Sequence, residues 1–462
     1  MNSRGIADAM RGALIDGIWK KWYPLVLDRE EGGYFTNLAQ DWTILPAQEK
    51  MIVSQARHIW TTSKAAGYLE EGRAYEAYAR HGFRFLKEKM WDPVYGGFFQ
   101  IRDRTGGVSA AGGWRDEKRT YGNAFALFAL AALYERTHDP AVLDFAQTAF
   151  RWIETHAFDR RDNGYFQFLT ADSQPFDRSS LYATIADDRD ELGYKDQNSS
   201  IHLLEAYTEL YRLWHDPLLE AQLKNLLGLI RDVMTDEKGY LHLFFHPDWT
   251  PVSFRTSGDE ERRRYEGLDH VSFGHDVETA FLMLEASHAL GIEEDTRTLS
   301  TARRMVDHAL RCGFDRDNGG IHDAGYYFRG EDTCSIIRPT KNWWAQAEAL
   351  NALLLFSSIY PGESTYAEHF QKQWAYVDAY VLDHERGDWF EGGLDEQPEF
   401  RTGPKSHMWK CTYHTSRALM NCIMMLDDIP RRESGIHRTS HTTAMAEFID
   451  HWRRTASLLP AS

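Results

Sequence analysis

The sequence predicts an all-α fold, a closed (α/α)6 barrel of six helical hairpins with short β-hairpin loops. Between recurrent turns, apolar residues repeat at spacings of three and four, which indicates amphipathic helices. An open helical solenoid is the competing interpretation, but a count of six without an obvious extra capping repeat favours ring closure. The turns share an aspartate, a short polar stretch, a glycine and then aromatic or apolar residues, with the glycines at Gly33, Gly97, Gly164, Gly239, Gly320 and Gly387.

Each repeat contributes two predicted helices. Glycine suits the turns because it tolerates the positive φ that a tight turn often needs, and the residues after it are predicted to form short strands. We expect residues 1–428 to form the barrel and residues 429–462 to form a C-terminal extension with one terminal helix. The predicted helical segments are 3–22, 54–70, 74–90, 119–138, 140–158, 195–214, 217–234, 275–291, 296–312, 341–359, 364–382 and 411–426.

Two long polar segments, residues 171–195 and 248–273, are predicted to rim the mouth of the barrel. The second contains three arginines at 262–264 beside three acidic residues at 259–261. Because these charges offset one another, this stretch is predicted to be a solvated loop rather than a basic binding patch.

Composition argues against several classes of protein. The formal net charge of −17 disfavours nucleic acid as a partner. No apolar run approaches the ~18 residues of a membrane helix, and the first twenty residues do not resemble a signal peptide. Four cysteines without a C-x-x-C pair fit a reducing cytoplasm, and we expect a monomer or homodimer there. The 13% aromatic content, with 15 tryptophans, favours a carbohydrate site because indole covers the C–H face of a sugar.

Unexpected polar and aromatic residues concentrate on alternate helices, which predicts six inner helices around a lined cavity. Pairs three or four residues apart, such as His275 and Glu278, share one helix face. Each residue alone has a structural interpretation, but burying several histidines and glutamates together without purpose is costly. The candidates are Arg57, Tyr121, Asn123, Asn198, His202, His275, Glu278, Trp344, Glu348, Trp409 and His414.

At these residues the chain resembles the N-acylglucosamine 2-epimerase superfamily, and within it the cellobiose 2-epimerases. The resemblance extends to about residue 428 and includes the stretches QARHIW, KRTYGNAFAL, NSSIHLLEAYTELYR, FGHDVETAF, KNWWAQAEAL and WKCTYH, in this order. It implies an (α/α)6 barrel that epimerises or isomerises aldoses without a metal or redox cofactor. The implied partner is a small sugar substrate.

The resemblance also implies roles for the candidates. His275 and His414 resemble the acid/base pair, and His202 resembles a histidine that assists ring opening. Arg57 is similar to an arginine that contacts the sugar oxygens around C1 and C2. The remaining implied positions orient histidines, hold hydroxyls or form stacking walls, at Glu278, Glu348, Trp344 and Trp409.

Inversion at C2 of an aldose requires ring opening, removal of the C2 proton and return of a proton to the other face. Histidine, with a pKa of ~6.5, suits both proton transfers. Arginine, always charged and forked, suits the negative oxygen of the enediolate.

Several alternatives stay open at this point. An aldose–ketose isomerase uses the same enediolate and returns the proton to C1. Thr412 and Asn123 depart from residues common in cellobiose 2-epimerases, so a free monosaccharide competes with a disaccharide as the substrate. An inverting glycoside hydrolase, a metal-dependent isomerase and a non-catalytic binding protein are weaker alternatives.

Overall fold

A computed structural model describes residues 2–70, 72–110, 116–176, 189–434 and 440–459. The helices are α1 (Ser3–Gly12), α2 (Lys20–Trp22), α3 (Ile52–Tyr68), α4 (Gly72–Phe85), α5 (Thr120–Thr137), α6 (Pro140–Trp152), α7 (Gln197–Tyr211), α8 (Pro217–Leu229), α9 (Asp259–Asp269), α10 (Phe273–Ala289), α11 (Thr296–Cys312), α12 (Trp343–Ile359), α13 (Ser364–Tyr376), α14 (Tyr413–Ser434) and α15 (Ser440–Ala456).

Six of these helices form a closed inner ring. Helices α3, α5, α7, α10, α12 and α14 contact one another in this order, and α14 contacts α3. The outer layer consists of α1 with α2, then α4, α6, α8, α11 and α13. The prediction of a closed (α/α)6 barrel is therefore confirmed.

The inner helices are buried on nearly every face because they lie between the outer layer and the centre of the barrel. In α5, every residue from Thr120 to Leu133 is buried. The outer helices are amphipathic, since their outward face meets solvent. Trp19 and Tyr207 are among the largest side chains that are fully buried.

Short antiparallel strands align the starts of four inner helices. The strands are β1 (Lys50–Met51), β2 (Ile101–Arg102), β3 (Lys118–Arg119), β4 (Phe168–Leu169), β5 (Lys195–Asp196), β6 (Phe244–Phe245), β7 (Val271–Ser272), β8 (Ala324–Tyr326) and β9 (Ser335–Arg338). They form the pairs β1–β2, β3–β4 and β5–β6 and the three-stranded sheet β7–β8–β9. Because β1, β3, β5 and β7 each lead directly into an inner helix, these helices begin at one end of the barrel.

Buried lysines hold the recurrent turns against the beginnings of the inner helices. Lys118, for example, places its Nζ 2.7 Å from Oδ2 of Asp92, the first residue of the second turn motif. In the fourth repeat the turn residue Asp236 has His242 instead, at 3.4 Å. The equivalent lysine–aspartate pairs are Lys50–Asp28, Lys195–Asp159, Lys341–Asp315 and Lys405–Asp383.

The prediction of a loop at residues 259–264 is wrong, because these residues begin helix α9. The three acidic residues occupy the first helical turn, where they complement the positive end of the helix dipole. Arg262 lies 4.8 Å from the ring of Phe328, so its side chain is packed rather than solvated. Of the other predicted rim segment, residues 177–188 lie outside the described residues.

The predicted domain boundary at residue 428 falls inside α14, which continues to Ser434. In the C-terminal extension, α15 packs against α11, α12 and α14. None of the helices in the described ranges has the length and apolar character that crossing a bilayer requires.

Candidate active site

The candidate residues gather at the end of the barrel where the inner helices begin. They occupy the first two turns of their helices, apart from Trp409, which lies four residues before the start of α14. Because the paired strands and turns set these starting points, residues far apart in the chain lie side by side.

His414 is held at both ring nitrogens. Its Nδ1 lies 2.7 Å from Oε1 of Glu348, and its Nε2 lies 3.3 Å from Nη2 of Arg57. Since a guanidinium only donates, Nε2 accepts and the proton resides on Nδ1. Burial, followed by the charges of Arg57 and Arg417, lowers the pKa of His414 well below its usual value. His414 is therefore a neutral imidazole whose basic lone pair is on Nε2.

His275 and His414 contact the same indole ring. The ring of Trp344 lies 4.6 Å from the imidazole of His275 and 5.7 Å from that of His414. Nδ1 of His275 lies 2.7 Å from Oγ of Ser272, which leaves Nε2 as its other functional atom. Burial, with smaller contributions from neighbouring histidines, lowers the pKa of His275 to about 3.

His202 lies on α7, the inner helix between α5 and α10. Its Nδ1 lies 3.0 Å from Oε2 of Glu205, and its ring packs 5.3 Å from Tyr121 and 4.6 Å from Phe125. Burial acts to raise the pKa of Glu205, but the charge of Arg417 and the hydrogen bond from His202 outweigh it and lower that pKa.

Arg57 supplies a buried positive charge beside His414. Its Nη2 donates to the hydroxyl of Tyr121 at 3.0 Å, and its Nη1 donates to the backbone carbonyl of Trp409 at 3.2 Å. The guanidinium carbon lies 4.3 Å from the ring centre of Phe125, which stabilises the cation through a cation–π contact. Arg57 therefore presents a fixed cation next to Nε2 of His414.

Sequence reasoning missed Arg417 and Glu205. Arg417 contacts carboxylates from three other inner helices: its Nη2 lies 2.5 Å from Oε1 of Glu278 and 2.7 Å from Oε1 of Glu348, and its Nη1 contacts Glu205. Both residues had a detectable signal, since Arg417 lies three residues after His414 and Glu205 three after His202. That spacing places each on the same helix face as its histidine.

The aromatic candidates border the more open part of the cluster. Trp344, Trp409 and His275 are partly exposed, whereas Arg57, His202 and His414 are buried. The ring centres of Trp409 and Tyr121 are 6.3 Å apart. This arrangement offers a hydrophobic wall with polar groups behind it, which is typical of a sugar-binding site.

The two asparagine candidates differ in position. Asn198 is partly exposed in the first turn of α7, and its Oδ1 has no hydrogen-bond partner among the described residues. Asn123 accepts from the backbone N–H of Phe98 at 2.8 Å and donates to the carbonyls of Arg119 and Phe98. The amide of Asn123 is thus occupied by hydrogen bonds to the backbone of Phe98 and Arg119. This corrects the expectation that Asn123 binds the sugar.

Glu278, Glu348 and His414 present ligand atoms within 4.8 Å of one another, a spacing that a metal ion also uses. The guanidinium of Arg417 contacts both of these carboxylates. Burial raises the pKa of Glu348, and Glu278 adds to this rise, although Arg417 opposes it. The cation that contacts both carboxylates is therefore the guanidinium of Arg417.

Comparison with known proteins agrees with this geometry. A sequence profile described as N-acylglucosamine 2-epimerase (GlcNAc 2-epimerase) matches residues 33–418. The chain belongs to the N-acylglucosamine 2-epimerase family. The predictions of this superfamily and of a carbohydrate isomerase are therefore confirmed.

Relatives of this epimerase-family chain span nearly its whole length. A cellobiose 2-epimerase of Bacteroides fragilis is 29% identical over 91% of this chain and 98% of its own. A D-mannose isomerase of Marinomonas mediterranea is 23% identical over 88% of this chain and 94% of its own. The solved structure of a cellobiose 2-epimerase from Bacillus thermoamylovorans superposes with a TM-score of 0.77 at 25% identity, covering 91% of this chain and 99% of that one.

Proposed function

We propose that this protein is a sugar 2-epimerase that interconverts glucose and mannose configurations at the reducing end of its substrate. His275 and His414 exchange protons with C2, His202 assists ring opening, and Arg57 faces the oxygens on C1 and C2. Tyr121, Asn198, Trp344 and Trp409 contact the sugar.

One observation carries this proposal: the imidazoles of His275 and His414 contact the same indole, that of Trp344, at 4.6 and 5.7 Å. Epimerisation needs two proton-transfer groups on opposite faces of one carbon. A sugar stacked on Trp344 would lie within reach of both imidazoles. The lowered pKa values of both histidines suit a base that is neutral at physiological pH.

The chemistry follows from these positions. After the ring opens, the neutral imidazole on one face takes the C2 proton, and the electron pair passes to the C1 carbonyl as an enediolate. Arg57 stabilises the negative oxygen because it is a fixed cation beside the base. The second histidine must be an imidazolium at this step; it delivers its proton to the other face of C2 and becomes neutral, while the first histidine has become the imidazolium. In the reverse reaction the two histidines exchange roles.

An aldose–ketose isomerase is a second candidate, favoured by the similarity to the D-mannose isomerase. Both reactions pass through one enediolate and differ in whether C2 or C1 receives the proton. A ketose product that carries solvent deuterium at C1 would identify this alternative.

The carboxylates do not suit an inverting glycoside hydrolase, which separates its two carboxyl groups by ~6.5–9.5 Å and places the scissile bond between them. Oε1 of Glu278 and Oε1 of Glu348 instead contact one nitrogen, Nη2 of Arg417, at 2.5 and 2.7 Å. They are therefore held together around one cation.

The test is incubation with glucose, mannose, cellobiose and mannobiose in D₂O, followed by NMR of the products. We expect an epimer with solvent deuterium at C2 and an unchanged number of sugar units from at least one of these pairs. Protium alone at C2 of the product would contradict an enediolate. Release of monosaccharides from a disaccharide would instead indicate a hydrolase.

A further inference from the structure

Arg417 links four inner helices, its own α14 and three others. It lies on α14 and is only 5% exposed. Its guanidinium contacts Glu205 of α7, Glu278 of α10 and Glu348 of α12. A planar guanidinium suits these three acceptors, because it offers several N–H donors in fixed directions.

Two of these carboxylates are also hydrogen-bonded to a histidine. Oε2 of Glu205 lies 3.0 Å from Nδ1 of His202, while its Oε1 contacts Arg417. Oε1 of Glu348 lies 2.7 Å from both Nδ1 of His414 and Nη2 of Arg417. The chain of contacts therefore runs from His202 through Glu205, Arg417 and Glu348 to His414.

We propose that Arg417 is a positioning residue that fixes the orientation and tautomer of both His202 and His414. This inference rests on the proposed function, in which His202 assists ring opening and His414 transfers the C2 proton. Arg417 does not touch the sugar. It keeps Glu205 and Glu348 in place as hydrogen-bond acceptors, so that each histidine carries its proton on Nδ1 and presents Nε2 to the sugar.

A contribution to stability alone does not explain this network of buried charges. Replacing a buried ion network by apolar residues is often neutral or stabilising, so such a network is weak evidence for a stabilising role. Here Oε2 of Glu278 and Oε2 of Glu348 have no hydrogen-bond partner among the described residues, which is a cost. The acceptors that are satisfied are those that face Arg417 and His414.

Loss of Arg417 has a defined electrostatic consequence for His414. The groups near this imidazole are the cations Arg57 and Arg417, the acids Glu278 and Glu348, and the histidines His202 and His275. Burial is the main reason that the pKa of His414 is low, and the two arginines lower it further. Removing one cation leaves both acids in place, so the pKa of His414 rises. As the pH is lowered, the variant therefore loses activity at a higher pH than the wild type does.

The variants are Arg417→Lys and Arg417→Gln, with Arg212→Lys as the matched control. Arg212 also pairs with two glutamates, Glu209 and Glu285, but it contacts none of the site histidines. Glu205→Gln tests the part of the network that leads to His202, and Glu348→Gln tests the part that leads to His414. Circular dichroism establishes that each variant is folded.

Two rates are measured separately: mutarotation by polarimetry, which reports ring opening, and exchange of the C2 proton in D₂O by NMR. For Arg417→Lys we expect a loss of about tenfold or more in both rates, because general acid–base steps contribute ~10²–10⁴-fold. Glu205→Gln should mainly slow mutarotation, and Glu348→Gln should mainly slow C2 exchange. The acidic limb of kcat/KM should move to higher pH in Arg417→Gln, and Arg212→Lys should resemble the wild type.

A readout that needs no turnover separates this proposal from the proposed function. The ¹⁵N shifts of the imidazoles, assigned with the His202→Ala and His414→Ala variants, report the tautomer and pKa of each histidine. We expect Nδ1–H in both histidines of the wild type, a changed tautomer in Arg417→Lys, and a higher pKa of His414 in Arg417→Gln. Unchanged shifts in the Arg417 variants would overturn the positioning role.

If those variants do not fold, unchanged His202 shifts in Glu205→Gln and unchanged His414 shifts in Glu348→Gln would overturn it. Absence of C2 exchange in a wild type with these shifts would overturn the proposed function alone.

Discussion

The imidazole of His414 and the carboxylate of Glu348 are joined by a hydrogen bond of 2.7 Å between Nδ1 and Oε1. Arg57 donates towards the other ring nitrogen, so only one tautomer satisfies both contacts. Here Nε2 faces a cation beside the partly exposed wall of Trp344 and Trp409, where a substrate oxygen or C–H group can replace that contact.

Substitution of either acid–base histidine should abolish turnover without unfolding the protein. We expect His275→Ala and His414→Ala each to lower kcat by ~10²-fold or more, since each removes a proton-transfer group. His384→Ala is the control, because that side chain is 66% exposed. Kinetics with circular dichroism provide the check. A variant of His275 or His414 that keeps more than about a tenth of the wild-type rate would contradict its assignment.

The pH dependence of kcat/KM should reflect the lowered pKa values of the two histidines. A base with a lowered pKa stays neutral at more acidic pH, so activity persists below pH 6.5 and falls only as the pH approaches the lowered pKa. Rates measured from pH 4 to 8, with the fold monitored in parallel, provide the check. A half-maximal rate close to pH 6.5 in folded protein would show that the base has an unperturbed pKa.

Asn123 should matter for stability and not for sugar binding. Its side chain makes hydrogen bonds of 2.8 Å to the N–H of Phe98 and to the carbonyl of Arg119. Replacement by alanine leaves these buried groups unpaired, at a cost of about 1–3 kcal/mol for each group. We expect Asn123→Ala to lower the free energy of unfolding by a similar amount, measured in urea, with KM unchanged. The exposed Asn318→Ala is the control, and a large rise in KM for Asn123→Ala alone would restore a binding role.

The buried lysines should contribute more to stability than exposed ones. Lys118→Met leaves the nearly buried Asp92 without its ammonium partner, and breaking a buried pair in this way costs about 3–5 kcal/mol. Lys224→Met is the matched control, because Lys224 and Glu220 are both substantially exposed and such pairs contribute ~0–1 kcal/mol. Urea unfolding of both variants compares them. Equal losses would mean that the turn lysines do not hold the barrel together.

Activity should survive exhaustive treatment with EDTA. Glu278 and Glu348 already share the guanidinium of Arg417 as their counter-charge. We expect the same rate of C2 exchange before and after chelation. Loss of activity with recovery on adding Mg²⁺, Mn²⁺ or Zn²⁺ would instead place a metal in the reaction.

Local pattern was sufficient for the architecture of this protein. The six turn motifs and the spacing of apolar residues predicted twelve segments that overlap the inner and outer helices. Amphipathic periodicity is expected of the outer helices, which have a solvent face, whereas the inner helices are buried on nearly every face. The same logic placed Arg57, His202, His275 and His414 on inner helices. It failed for α9, where the acidic first turn was a helix signal that was read as a charged loop.

By itself, then, the sequence determined the repeat, the helices, the family and the histidines that carry the proposed chemistry. Only the tertiary structure decided which neighbours those histidines have. Spacing along one helix identifies residues on a common face, but not which side chain of another helix meets that face. The contacts of Arg417 with three helices depend on distances that the closed ring sets. The bond between Asn123 and Phe98 depends on the pairing of the chain around Phe98 with the strand before α5.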